Sequence, residues 1–103
     1  MTRALPLLLL LAGCGDSGPT PLGESIQTFC DIATEVERDD SLEPSERAVQ
    51  IADRTRARVD DADFANLMAS MATMSPERRA SALREAAAEN GLGDDWRCPA
   101  LED

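Results

Sequence analysis

The sequence predicts an all-α fold, a small bundle of four short helices, and three observations carry that prediction. Beyond residue 24 the apolar residues recur at spacings of three and four. Helix starts are marked by Pro44 and by Ser75-Pro76-Glu77. No run alternates β-branched or aromatic residues with polar ones, and two Phe, one Trp and no Tyr leave little material for a sheet. At 103 residues the chain has room for one domain, against roughly 100 to 200 residues for a typical one.

The chain opens with a segment unlike the rest. Arg3 is followed by an apolar run from Ala4 to Ala12 holding six leucines, Leu5 and Leu7 to Leu11. A permanent span needs about 20 apolar residues. This run, interrupted by Pro6 and stopped by Gly13, therefore reads as a cleavable export signal over residues 1–13.

The run ends Leu11-Ala12-Gly13-Cys14, which resembles the lipobox of bacterial lipoproteins: a branched apolar residue and two small residues before a Cys. The resemblance implies cleavage between Gly13 and Cys14 and a diacylglyceryl thioether on Cys14. Small residues let an extended backbone into a narrow protease site. Two or three acyl chains, at about 0.8 kcal/mol per buried methylene, would hold a protein where one chain would not. It also implies a location. Gly15, rather than Asp, follows the lipidated Cys, and this favours the periplasmic face of the outer membrane. Without the lipobox the same segment would be an ordinary secretory signal. Lipidation of Cys14 would leave two of the three cysteines, Cys30 and Cys98, free to pair in an oxidising compartment. The other possibility is that they stay as buried thiols.

Residues 14–23 are then the lipidated Cys and a tether. Gly15 to Gly23 have no apolar period and are dense in Gly, Pro, Ser and Thr. The domain proper is expected over residues 24–103.

Its first helix, from Ser25, carries Ile26, Phe29, Cys30, Ala33 and Val36 on one face and breaks at Asp39-Asp40-Ser41. The second opens at Pro44, whose missing donor is harmless in the first turn, and is expected to bury Ala48, Ile51, Ala52, Thr55 and Val59. Arg54, Arg56 and Arg58 suit its C-terminal end. Asp60, Asp61 and Asp63 supply the cap and first-turn carboxylates of a third helix bearing Phe64, Leu67, Met68 and Met71. Ser75 caps the fourth, whose stripe is Ala80, Leu83 and Ala87, and Asn90-Gly91-Leu92 is a left-handed stop. The tail from Gly93 to Asp103 is expected to be extended or turn-like.

A domain of this size buries only about 60 to 65 per cent of its unfolded surface and is marginal alone. A Cys30–Cys98 bridge would clasp the tail to the first helix and press Trp96 and Leu101 onto the bundle. The segment Asp95-Trp96-Arg97-Cys98-Pro99-Ala100-Leu101, with a Cys in the first helix, resembles the ending of small helical lipoproteins of Gram-negative bacteria. That resemblance implies the clasped helical fold and carries no activity with it.

Composition removes much chemistry. All ten basic residues are Arg, and there is no Lys and no His, so Ser-His, Cys-His, Ser-Lys and His-ligated metal sites have no material. Removing residues 1–13 takes Arg3 and leaves 90 of the 103 residues, with nine Arg against 20 acids, a net charge of −11. Such a chain repels nucleic acid and anionic lipid and favours a basic envelope partner. No enzyme activity and no cofactor are expected.

Two constellations have specific chemistry. Met68, Met71 and Met74 have the soft donors that Cu(I) favours. However, each step of three rotates a side chain by about −60°, so Met74 points well away from Met68. Core filling is the stronger account of Met68 and Met71. A calcium loop opening at Asp61 would need Gly and Glu where Asn66 and Ala72 stand. The expected function is therefore that of a lipid-anchored, non-catalytic interaction or structural domain, with soft-metal binding as the alternative.

Overall fold

The computed structural model describes residues 18–102. The signal over residues 1–13, Cys14 and the first part of the tether lie outside the described residues. The described chain is all-helical: α1 Pro21–Glu37, α2 Pro44–Arg58, α3 Ala62–Met71, α4 Pro76–Glu89 and a single turn, α5, Pro99–Glu102. None of these helices is long and apolar enough to cross a membrane.

Helix α1 starts earlier than expected, so Pro21 to Gly23 are helical and not tether. The Thr20 hydroxyl accepts from the Gly23 N–H at 3.1 Å with Pro21 just inside the helix, the same cap-and-proline arrangement as Ser75-Pro76. Thr20 also bonds to the end of α4. Its N–H donates to the Asn90 carbonyl at 3.0 Å and its hydroxyl to Asn90 Oδ1 at 2.8 Å. The contact is close enough that a Cβ on Gly23 would sit 2.3 Å from the Asn90 carbonyl oxygen.

The other ends follow the sequence signals. Glu43 and Glu46 form a capping box ahead of α2. Asp61 caps α3, and Ser75 caps α4. Helix α4 stops in a Schellman arrangement: Gly91 takes φ +95°, Leu92 N–H donates to Ala87 C=O at 3.0 Å and Gly91 N–H to Ala88 C=O at 3.5 Å.

The core lies among α1, α3, α4 and the tail. Ile26, Phe64, Met71, Leu83 and Ala87 form its centre, and Leu67, Trp96 and Leu101 pack around it. Phe29 meets Phe64 edge-on with ring centroids 5.5 Å apart.

Cys30 and Cys98 are joined in a buried disulfide that closes a sequence separation of 68 residues. The tail is fastened twice more. Trp96 Nε1 donates to Gln27 Oε1 at 2.8 Å, and Arg84 pairs with Glu102 at 3.2 Å. The tail, expected to be extended or turn-like, ends in a single helical turn, with Cys98 N–H donating to the Glu102 carboxylate at 3.3 Å at the start of α5.

Candidate docking groove

Helix α2 stands outside the core. Among the described residues it approaches α1 and none of the other helices. Its expected apolar stripe is buried only in part: Thr55 is buried, Ile51 and Val59 are half-buried, and Ala48 and Ala52 are exposed.

The reason lies in a second stripe on the same helix. Arg47, Ile51, Arg54 and Arg58 fall at i, i+4, i+7 and i+11, and from this side Arg54 and Arg58 reach α1 while Ile51 also borders the space between α2 and α3. Both guanidinium nitrogens of Arg58 donate to the Glu35 carboxylate at 3.2 Å, and Arg54 approaches Glu35 at 3.8 Å. Arg58 holds the Glu35 carboxyl below the usual carboxylate range, and Glu35 in turn raises Arg58. Arg56 pairs within its own helix, with Asp53. Arg54 and Arg58 thus act across helices, where the sequence suggests only a helix-end preference.

Seating α2 by this polar side turns Ala48, Ala52 and Val59 toward α3. Helices α2 and α3 diverge from the turn at Val59–Asp61, leaving between them a groove of about 500 Å³. Ala48, Ala52 and Thr55 form one wall, Ala65 and Met68 the other, and Phe29 of α1 the floor. At 1.5 Å per residue, the wall from Ala48 to Val59 runs for about 16 Å. The Thr55 hydroxyl at its centre is out of reach of water and has no hydrogen-bond partner among the described residues. Val49, the one large apolar residue that stands out as exposed among the described residues, at 57 %, lies on the adjoining edge of α2.

The closed end of the groove is acidic. Asp60, Asp61 and Asp63 enter no ion pair among the described residues, whereas the three arginines on the second half of α2 are all paired within the chain. Asp61 accepts from Ser25 Oγ at 3.1 Å, which ties this turn to the first turns of α1. Pro21 and Asp60 line one shallow depression, so the closed end lies beside the start of α1.

Chemically this is a surface for burying apolar side chains. Arg56 and Asp61 stand among hydrophobic neighbours, with the Thr55 hydroxyl beneath the surface. Met68 and Met71 share a second cavity of about 270 Å³ with Phe29, Leu83 and Leu101, while Met74 lines a different depression beside Glu77 and Arg78. The three sulfur-bearing side chains therefore do not line one site. Among the described residues no cluster of Cys, Asp and Glu is arranged to hold a metal ion. No protein-family model, curated protein or solved structure matches the chain.

Proposed function

We propose that this protein is a lipid-anchored, non-catalytic interaction domain of the bacterial cell envelope, and that the groove between α2 and α3 is its docking surface. One observation carries the reading: Ala48 and Ala52 on the apolar stripe of α2 stay exposed beside the groove, while Thr55 is buried and Arg54 and Arg58 tie the helix to Glu35. A helix with an unused apolar face beside a preformed groove is the arrangement by which small domains take up a segment of a partner.

The lipobox-like Leu11-Ala12-Gly13-Cys14 and the tether supply the anchoring half of the proposal. A lipid on Cys14 would hold the domain by the end where α1 begins. The location it favours is the periplasmic face of the outer membrane.

The test is capture of the tagged, full-length protein after cross-linking in intact cells, with wild type compared against Ala52→Trp. Ala52 is exposed, so a Trp there fills the groove without disturbing the core. A recurrent envelope partner lost in Ala52→Trp supports the reading. Identical capture by both proteins overturns the groove as the docking surface.

A further inference from the structure

We infer that the occupant of the groove is a basic amphipathic helix of a partner protein. This rests on the docking function proposed above and adds the chemistry of what docks.

Shape selects the helix. The described residues present no strand edge to which an extended peptide could add, and both walls of the groove are helices. Along about 16 Å of wall, a third helix laid in parallel presents anchors at i, i+4, i+7 and i+11, four side chains on one stripe. The small residues Ala48, Ala52 and Ala65 let its backbone come close, with Phe29 as the apolar floor and Met68 on the α3 wall.

Charge selects the sign. Asp60, Asp61 and Asp63 are unpaired at the closed end, and residues 18–102 carry nine Arg against 18 acids. Lys or Arg flanking the apolar stripe of the incoming helix would meet these carboxylates at the rim, where such contacts steer encounter and set register. The same field disfavours the two other occupants an apolar groove could take. An acyl chain with an anionic headgroup would bring its charge against the Asp60–Asp63 turn. A second copy of this chain would bring the same acids to face their own kind.

The experiment uses the full lipidated protein in phosphatidylcholine nanodiscs, whose neutral surface does not itself recruit a basic peptide. Two fluorescent helical peptides of about 18 residues share one Leu stripe and differ only in carrying Lys or Glu on the polar face. The inference expects saturable binding of the Lys peptide and binding of the Glu twin weaker by about tenfold or more. It expects a loss of about tenfold or more with Ala52→Trp and with Ala48→Trp. Ala57→Trp, on an exposed part of α2 outside the groove, should bind as wild type does, as should all variants in thermal melting.

Equal binding of both peptides, still lost with Ala52→Trp, overturns the basic occupant while the docking function stands. Binding indifferent to Ala52→Trp overturns the inference by placing the contact on the acidic surface at large. Failure of both peptides overturns it as well. Self-association abolished by Ala52→Trp would then identify a second copy as the occupant, and capture of a partner in cells would show whether docking itself survives.

Discussion

Arg58 grips Glu35 through both terminal guanidinium nitrogens, each 3.2 Å from a carboxylate oxygen, and this fork fastens α2 to α1 at a place where the sequence suggests a helix-end preference alone. An ion pair this open to solvent contributes little to global stability. Its effect is local: it ties the second half of α2 to α1 on the side away from the exposed Ala48 and Ala52.

Glu35→Gln should therefore loosen α2 without unfolding the core. The measurement is amide hydrogen exchange, with α2 predicted to exchange faster while α4 is unchanged. Acid should do the same. Because Arg58 lowers the Glu35 pKa, the pair acts fully above the unfolded value of about 4.3 and is lost as pH falls through the lower folded value. Faster exchange in α2 should appear in wild type over that window and be absent from the pH response of Glu35→Gln.

Gly23→Ala should destabilise the domain by about 1 to 3 kcal/mol, the usual range for overpacking. The added Cβ meets the Asn90 carbonyl oxygen, a backbone atom held by the Thr20 N–H. Thermal or denaturant unfolding measures the loss. Gly18→Ala, with open space around its Cβ position, should leave the midpoint unchanged.

Cleaving the Cys30–Cys98 bridge frees a loop of 68 residues, for which the chain-entropy account gives about 4 kcal/mol. A Cys98→Ser, Cys30→Ser variant should unfold at markedly lower denaturant than wild type. Trp96 fluorescence should shift to longer wavelength before the helical signal falls, since the Gln27 hydrogen bond, the exposed Arg84–Glu102 pair and apolar packing then hold the tail without a covalent tie.

Much of this arrangement was legible in the sequence. Ser75-Pro76, Asp61 and Asn90-Gly91 announce helix ends through local hydrogen bonding that no distant contact overrides. The Cys30–Cys98 clasp and the seats of Trp96 and Leu101 follow from covalent arithmetic and hydrophobicity. Thr20-Pro21 carried the same start signal as Ser75-Pro76, but the Gly- and Pro-rich composition around it read as tether. The orientation of α2 was harder to see. Periodicity identifies Ala48, Ala52 and Val59 as one face, but periodicity cannot say what that face meets. The competing stripe of Arg47, Ile51, Arg54 and Arg58 was present at the same spacing. Its weight came from a single carboxylate, Glu35, on another helix.

Anchoring is tested separately. Cys14→Ala should abolish incorporation of a clickable palmitate analogue and release the protein from the membrane fraction or leave it with its leader uncleaved. Retention in membranes with full cleavage would count against lipidation at that residue.

The most direct measurement of the central claim is photo-cross-linking from within the groove. A benzoylphenylalanine replaces Ala52 in the full-length protein, and the control carries it at Ala57, on the exposed part of α2 outside the groove. Irradiation of intact cells should give one discrete protein adduct from position 52 and none from position 57. If position 52 gives no adduct above the level of position 57, the groove is not a docking surface and the account fails.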